Sequence, residues 1–271
     1  MNPNKALWEK GDFTKIADTM RESSSALVAK IGITPGMDVL DIACGDGDTA
    51  IPAAKLGANL TCIDIAQNLV EACRQRAEKE GVAERCKISQ GDVTDLNDQK
   101  DGSFDLVMSI FGAMFAPRPL DVAKELVRVT RKGGRIVMGN WIPGDPTFVA
   151  QILKISSAYT PPPPEGFVSP MLWGVEDEVT RRFESAGISK ENISFSKETF
   201  TFHADYSPKV FLDNFRNYYG PTMNAFEAAE KNGKSEALQQ ELETLFNSHN
   251  KSGSENALSI PATFLLVTVK R

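Results

Sequence analysis

The chain has 271 residues, of which 41% are hydrophobic and 24% charged, and its formal net charge is −6. This length is enough for one large domain, or for a domain with a subdomain, around a substantial buried core. The acidic balance argues against long nucleic acid as a partner, because contacts to phosphates supply most of that affinity. No run of about 18 apolar residues is present for a membrane span. Residues 1–13 lack the apolar core of a signal peptide, so we expect a cytoplasmic protein.

The first predicted element is a helix over residues 5–31, in which apolar side chains recur at helical spacing. After a turn at residues 34–38, apolar strands alternate with helices. The strands are predicted at residues 37–43, 59–65, 85–92, 104–110 and 135–141, and the helices at 48–56, 67–80 and 120–130. Gly133 and Gly134 are expected to end the last of these helices. Such alternation predicts a doubly wound parallel α/β sheet, with its ligand at the carboxyl ends of the strands.

The pattern is weaker beyond residue 141. Residues 161–164 are four prolines, which favour an extended surface connection. The remaining predicted elements are a helix over 176–186, a strand over 193–202, helical character over 207–247 and a final strand over 263–271. The four cysteines lie in separate elements, with no CxxC pair and no nearby histidine, so reduced thiols and no metal site are expected.

The stretch VLDIACGDGDTA, residues 39–50, carries a strand directly into a turn with two glycines. Gly45 and Gly47 allow the backbone to bend sharply and to approach a ligand closely. The turn also satisfies the dinucleotide pattern G-x-G-x-x-A, so it is not specific by itself. The acids Asp41, Asp46 and Asp48 surround it and would repel a pyrophosphate, which favours a ligand with positive charge.

Two further acids follow the next two predicted strands. Asp64 ends the second strand, where a carboxylate can accept hydrogen bonds from both hydroxyls of a ribose. Asp92 ends the third strand, where it can accept from an adenine amino group while the Val93 amide donates to the ring. Because these strand ends are neighbours, a nucleoside with a cationic tail would satisfy all the carboxylates.

These motifs together resemble the class I S-adenosylmethionine-dependent methyltransferases. The resemblance runs over residues 36–142, through VLDIACGDG, CIDI, GDV, FDLVMSIFG and RKGGRIVM, and is greatest to the ubiquinone and menaquinone C-methyltransferases. It implies a Rossmann-like sheet of seven strands with an antiparallel last strand, so residues 193–202 and 263–271 would be strands six and seven. It also implies four parts, which are an N-terminal helical cap at 1–34, a cofactor-binding core at 35–203, a helical insert over the acceptor pocket at 204–261 and a final core strand at 262–271.

The resemblance implies S-adenosyl-L-methionine as cofactor, S-adenosyl-L-homocysteine as product, and a set of binding residues. The turn with Ala43, Gly45 and Gly47 would pass under the methionyl part, with Asp41 near its ammonium group and Ser109 beside it. Asp64 would hold the ribose, Ile65 would pack on the adenine, and Asp92 with Val93 would recognise the adenine edge. Family members often have Thr or Ser where this chain has Asp46, so the role of Asp46 is open.

Methyl transfer from a sulfonium is an in-line displacement, so a base is needed only if the acceptor must lose a proton. His203 and Tyr206, which follow the sixth strand, are candidate bases, with ordinary loop residues as the alternative. Phe111, Met114 and Trp141 are candidates for the acceptor pocket, with core packing as the alternative. The fourth strand lacks the Pro-Pro-aromatic signature of amino-methylating enzymes, which favours a small-molecule acceptor, such as a phenol or quinol methylated on oxygen or carbon.

Two other functions remain open from the sequence. An NAD-dependent oxidoreductase uses a similar sheet, although the acids at the turn and the lack of a Tyr-x-x-x-Lys group disfavour it. A scaffold that binds S-adenosylmethionine without catalysis would keep the same cofactor residues.

Overall fold

A computed structural model describes residues 4–271, so the first three residues of the predicted cap 1–34 lie outside the described residues. Seven strands form one sheet in the order β3-β2-β1-β4-β5-β7-β6. The strands are β1 Asp38–Ile42, β2 Asn59–Asp64, β3 Cys86–Gln90, β4 Phe104–Ile110, β5 Thr130–Trp141, β6 Ile193–Ala204 and β7 Leu258–Lys270. Strands β1 to β5 pair in parallel, and β7 runs antiparallel between β5 and β6. The predicted seven-stranded Rossmann-like sheet is confirmed.

Helices cover both faces of this sheet. Those in the described part of the chain are α1 Asn4–Lys10, α2 Thr14–Ala17, α3 Arg21–Ile31, α4 Ala50–Lys55, α5 Gln67–Lys79, α6 Pro119–Val129, α7 Phe148–Tyr159, α8 Glu176–Ser185, α9 Pro208–Tyr218, α10 Gly220–Lys231 and α11 Ser235–His249. Helices α9 to α11 leave the sheet after β6 and return to it at β7. None of the helices in residues 4–271 is both long enough and apolar enough to cross a membrane.

The single helix predicted over residues 5–31 is wrong, because the structure divides this segment into α1, α2 and α3. The chain bends at Gly11, where a Cβ atom would collide with the carbonyl oxygen of Tyr218. Asp12 then donates its amide to the same carbonyl at 3.1 Å. Packing against the junction of α9 and α10 therefore overrides the helical periodicity, and the bend places α1 over the end of the sheet.

Two smaller boundaries also differ from the sequence prediction. Gly133 and Gly134 do not end a helix, because β5 starts at Thr130 and continues through both glycines. The register of β5 against β4 shifts between Phe104 and Leu106, which absorbs this irregular start. The last strand begins at Leu258, earlier than predicted, because its whole length pairs with the long edge strand β6.

The strand order reverses between β1 and β4, which are neighbours although β2 and β3 lie between them in sequence. In doubly wound sheets, the loops at such a switch point separate and leave a crevice at the carboxyl ends of the strands. The fold therefore places the glycine turn after β1 and the loop after β4 on the two sides of one opening.

Candidate functional site

A cavity with about 1200 Å³ of empty space, its open mouth included, lies at the carboxyl ends of the strands. Its wall has a polar part from the ends of β1, β2 and β3 and an aromatic part from β4, β5, β6 and the covering helices. The polar part contains Cys44, Gly45, Asp46, Asp48, Thr49, Asp64 and Asp92. The aromatic part contains Trp8, Phe13, Phe111, Phe115, Trp141, Phe202, Phe215 and Tyr219. The cavity can thus hold a polar and an apolar group side by side.

The turn after β1 has the backbone geometry that its glycines predict. Gly45 and Gly47 have φ angles of 57° and 83°, in the left-handed region that favours glycine. The Gly45 amide donates a hydrogen bond of 2.8 Å to Oδ2 of Asp64. A Cβ atom on Gly47 would lie 2.9 Å from Sγ of Cys73 on α5. Gly45 therefore lines the cavity, whereas Gly47 serves to pack the turn against the helix behind it.

Two residues without glycine's freedom also adopt left-handed conformations at the switch point. Ala43 has a φ of 52° and Phe111 a φ of 67°, and both line the cavity. Gly112 lies between them, and a Cβ atom there would be 2.5 Å from the Cβ of Ala43. Strained backbone of this kind persists where the surrounding structure holds it, often at a functional site. The loops after β1 and β4 are thus packed together as one rigid wall.

Asp64 and Asp92 are held in place by backbone donors. Asp64 is 6% exposed, and its two oxygens accept hydrogen bonds from the amides of Gly45 and Ala66. Burial raises the pKa of Asp64 to about 6, although these two hydrogen bonds oppose the rise. Asp92 accepts from the amide and the hydroxyl of Thr94. A carboxylate has about four acceptor positions, so Asp64 retains capacity for a ligand donor beside its two amide bonds.

Asp41 is fully buried behind the turn and is not among the residues of the cavity wall. Its Oδ2 atom accepts a hydrogen bond of 2.6 Å from the Thr49 hydroxyl. Its Oδ1 atom has no hydrogen-bond partner within residues 4–271. Burial raises the pKa of Asp41 to about 8, against the opposing effect of that bond. An orphaned acceptor of this kind fits a donor group on a ligand, such as an ammonium.

Asp46 and Asp48 are neutralised by arginines that the sequence analysis did not identify. Arg21 on α3 donates to Oδ1 of Asp46 at 2.9 Å and to Oδ1 of Asp48 at 2.8 Å. Arg76 on α5 donates to the Asp46 carbonyl at 2.9 Å. Asp41 is also neutral below about pH 8. The acids around the turn therefore carry less net negative charge than the sequence suggested, and they would repel a diphosphate less strongly. Charge at the turn does not by itself decide the ligand.

Several predicted site residues are not brought to the cavity wall. The Ser109 hydroxyl accepts a hydrogen bond of 2.9 Å from the Ala113 amide, and Met114 is buried in the core. The amide of His203 donates to the Thr19 carbonyl, and the Tyr206 hydroxyl accepts from Asn214. Neither His203 nor Tyr206 contributes to the wall, so the structure gives no geometric support for either as a base. The predicted pocket residues Phe111 and Trp141 do line it, stacked with ring centroids 3.8 Å apart.

Aromatic side chains of the covering helices form the roof of the cavity, among them Tyr219, which the sequence did not single out. Trp8 on α1 makes edge contacts with Phe115 and Tyr219, at centroid distances of 5.2 and 5.9 Å. Phe13 makes a further edge contact with Trp8, at a centroid distance of 6.0 Å. Tyr219 lies between α9 and α10, and burial raises its pKa. These side chains come from distant parts of the sequence, so only the fold reveals that they form one surface.

Comparison with known proteins decides the family. A protein-family model described as a methyltransferase domain matches residues 40–138, which contain the glycine turn, Asp64 and Asp92. An uncharacterized protein of Mycobacterium tuberculosis is 33% identical over 226 residues, which are 83% of this chain and 80% of that protein. The chain belongs to the class I S-adenosylmethionine-dependent methyltransferases. The predicted enzyme class and cofactor are confirmed, and the oxidoreductase alternative is not supported.

More distant comparisons agree with this assignment. A sterol 24-C-methyltransferase of Gibberella zeae is 38% identical over 120 residues, which are 44% of this methyltransferase and 31% of that protein. The YcgJ protein of Bacillus subtilis has the same fold, with a TM-score of 0.58 at 17% identity over 92% of this chain and 98% of that chain. The geranyl diphosphate C-methyltransferase of Streptomyces coelicolor, solved with S-adenosyl-L-homocysteine, has a TM-score of 0.53 at 12% identity over 92% and 78% of the two chains.

Proposed function

We propose that this methyltransferase binds S-adenosylmethionine at the polar part of the cavity and methylates an apolar small molecule at the aromatic part. The observation that carries the proposal is the single cavity in which both parts meet. The best candidates for the acceptor are phenols, quinols and related compounds with an apolar tail, in keeping with the resemblance to the ubiquinone and menaquinone C-methyltransferases. Two relatives are named as sterol methyltransferases, and sterols are apolar molecules.

The polar part has the donors and acceptors that the cofactor requires. Asp64 would accept from the ribose hydroxyls, Asp92 with the Val93 amide would recognise the adenine edge, and Ile65 would pack on the adenine ring. Ala43 and Gly45 would lie beside the methionyl part. The orphaned Oδ1 atom of Asp41 supports its role near the ammonium group. When bound, S-adenosylmethionine supplies an electrophilic methyl group on a positively charged sulfur.

The aromatic part favours an acceptor that reacts without a protein base. No Lys, Arg or His belongs to the cavity wall as the structure describes it, and its carboxylates, Asp46, Asp48, Asp64 and Asp92, lie in the polar part that is assigned to the cofactor. Tyr219 is the one phenol in that wall, and burial raises its pKa, so it stays protonated near neutral pH. An electron-rich ring carbon can accept a methyl group before it loses a proton, whereas a neutral phenol oxygen needs a base first. We therefore favour methylation on carbon, with Tyr219 as a hydrogen-bond donor to the acceptor.

The helices α1, α9 and α10 would form the cover of the acceptor pocket, as the predicted cap and insert require. Gly220 begins α10 against α1, where a Cβ atom would be 2.6 Å from the Leu7 carbonyl oxygen. Lys10 of α1 also pairs with Glu227 of α10 at 2.6 Å. These contacts hold the two helices together over the aromatic side chains. The cover would exclude water and keep the acceptor beside the reactive methyl group.

Turnover with a panel of acceptors tests the proposal directly. The panel contains simple phenols, quinols with isoprenoid tails, sterols, thiols and amines, and the readout is formation of S-adenosylhomocysteine. We expect turnover with an apolar quinol or phenol, and mass spectrometry should place the methyl group on carbon. Turnover confined to the thiols or amines would contradict the proposed acceptor class.

Phe115→Ala is expected to raise the KM for the acceptor by roughly 30-fold, because about 2 kcal/mol of apolar contact is lost. The affinity for S-adenosylhomocysteine should change little, since Phe115 belongs to the aromatic part. Phe167→Ala is the matched control, because Phe167 is 54% exposed and is not part of the cavity wall. Equal kinetic effects of the two substitutions would contradict the assignment of the aromatic part to the acceptor.

The affinity for S-adenosylhomocysteine is expected to fall as the pH drops below about 6, the pKa of Asp64. A protonated carboxyl group loses the charge that strengthens its hydrogen bonds to the ribose hydroxyls. At pH 5 the loss should approach about tenfold, since most of the Asp64 population is then protonated. Calorimetry at pH 5, 6 and 7.5 measures it, and Asp64→Asn should show a flatter profile. A wild-type affinity that is independent of pH would contradict the role of the Asp64 charge.

A further inference from the structure

Two of the four cysteines, Cys44 and Cys73, lie at the glycine turn, and Cys62 and Cys86 extend the group of thiols along β2 and β3. Cys44 follows β1, Cys62 lies in β2, Cys73 lies in α5 and Cys86 begins β3. Side-chain interactions link Cys44 to Cys62 and Cys73, and Cys62 to Cys86. All four are free thiols.

Only one of these thiols, Cys44, belongs to the wall of the cavity. Cys73 lies directly behind the same turn, with its Sγ atom 2.9 Å from the position of a Cβ on Gly47. The Gly47 amide in turn donates a hydrogen bond of 3.0 Å to the Cys44 carbonyl. Cys44 and Cys73 therefore meet at one turn, Cys44 from the cavity side and Cys73 from the helix side.

The environment of Cys73 favours its reactive form. The neighbouring Cys44 and Cys62 thiols lower the pKa of Cys73, and so does the Arg76 guanidinium, although burial and Asp46 oppose them. Cys62 lowers the pKa of Cys44, but contact with Cys73 and burial together raise it by more, so Cys44 is the slower attacker and Cys73 the better resolving thiol. The thiolate is the nucleophilic form of cysteine. Since Cys73 is fully buried, a small reagent reaches the pair only through Cys44 and the cavity.

We propose that Cys44 and Cys73 are an oxidation site, which small organic disulfides reach through the cavity, and that the resulting disulfide weakens cofactor binding. The second half of this inference rests on the proposed position of S-adenosylmethionine in the cavity. In the first step, Cys44 attacks a reagent R–S–S–R, forms Cys44–S–S–R and releases RSH with its proton. Cys73 then attacks the Cys44 sulfur, and the second RSH leaves with the Cys73 proton. Two protein thiols are oxidised and the reagent is reduced to two thiols.

The disulfide affects the cofactor site through Gly45, the next residue in the turn. Gly45 is held by its 2.8 Å hydrogen bond to Asp64, the proposed ribose ligand. Drawing Cys44 towards α5 changes the position of this amide and of the turn that lines the cavity. By linkage, if oxidation weakens the cofactor's affinity, the bound cofactor must oppose oxidation by the same factor.

Oxidation with 2,2′-dithiodipyridine tests the site, because each thiol exchange releases a coloured thiopyridone. We expect peptide mapping to find a bond between Cys44 and Cys73, and calorimetry to find an affinity for S-adenosylhomocysteine lowered by about tenfold. Saturating S-adenosylhomocysteine should slow the reaction, and dithiothreitol should restore binding. Cys73→Ser should stop at a mixed disulfide on Cys44. Cys86→Ser is the matched control and should still form the bond.

A map in which Cys44 pairs with Cys62, or forms no bond, would overturn the proposed pair. An oxidised protein that binds S-adenosylhomocysteine as tightly as the reduced one would overturn its effect on the cofactor. Failure of the reduced protein to bind S-adenosylhomocysteine would overturn the proposed function and the cofactor effect together. Peptide mapping detects the Cys44–Cys73 disulfide whether or not the protein binds S-adenosylhomocysteine.

Discussion

Asp64→Ala is expected to weaken binding of S-adenosylhomocysteine by at least about tenfold. The variant loses about two charge-assisted hydrogen bonds to the ribose, worth roughly 1.5 to 3 kcal/mol each, and 1.4 kcal/mol is already tenfold. It also leaves the Gly45 and Ala66 amides without their carboxylate partner, so the turn itself loosens. Calorimetry with the wild type and the variant measures the loss in affinity.

A matched acid at the amino end of a central strand separates this effect from a general loss of charge. Asp105 lies at the start of β4, where it pairs with Arg131 at 2.9 Å, far from the carboxyl ends of the strands. Asp105→Ala should leave the affinity for S-adenosylhomocysteine unchanged within about twofold. If Asp64→Ala also binds normally, the ribose is held elsewhere and the proposed cofactor residues are wrong.

Arg21→Ala is expected to lower the free energy of unfolding by about 2 to 4 kcal/mol. Burial lowers the pKa of Arg21, but its bonds to Asp46 and Asp48 raise it by more, which shows how strongly the carboxylates hold the charged form. Removing one partner of a buried ion pair leaves an uncompensated charge, which costs roughly 3 to 5 kcal/mol when both partners are fully buried. Arg76 still contacts Asp46, so the loss here should be smaller. Denaturant unfolding measures the change.

Two further variants distinguish an ion-pair effect from a loss of packing. Combining Arg21→Ala with Asp46→Asn should recover part of the lost stability, because the unpaired charge is then removed. Arg181→Ala is the control, since Arg181 is 65% exposed and pairs with Glu178 on its own helix, so the change should stay within about 0.5 kcal/mol. A double variant that is less stable than Arg21→Ala alone would contradict the explanation by unpaired charge.

Local sequence patterns predicted the sheet and the enzyme class because both depend on short, contiguous motifs. The strands are apolar runs, the glycine turn follows β1 directly, and Asp64 and Asp92 lie at the ends of the next two strands. The positive φ angles of Gly45 and Gly47 are the conformations that glycine adopts more easily than other residues. Here the local chemistry and the fold require the same residues, so the sequence alone was sufficient.

The contacts that hold the predicted cover in place and the charge balance at the turn could not be predicted, because both join distant segments. The bend at Gly11 depends on Tyr218, which is remote in sequence. Arg21 neutralises Asp46 and Asp48 from a helix whose periodicity gave no sign of that role. The sequence correctly placed His203 near the carboxyl end of β6. Its backbone amide is hydrogen-bonded to the Thr19 carbonyl, however, and His203 does not line the cavity. The position of a residue along a strand predicts at which end of the sheet it lies, whereas tertiary packing determines whether its side chain faces the ligand.

A crystal structure with S-adenosylhomocysteine tests the central claim most directly, that the cofactor lies across the ends of β1, β2 and β3. We expect the ribose hydroxyls within hydrogen-bond distance of Asp64, the adenine beside Ile65 and Val93, and the sulfur directed towards Trp141 and Tyr219. Electron density for the nucleoside outside this cavity, or a ribose without contact to Asp64, would contradict the account.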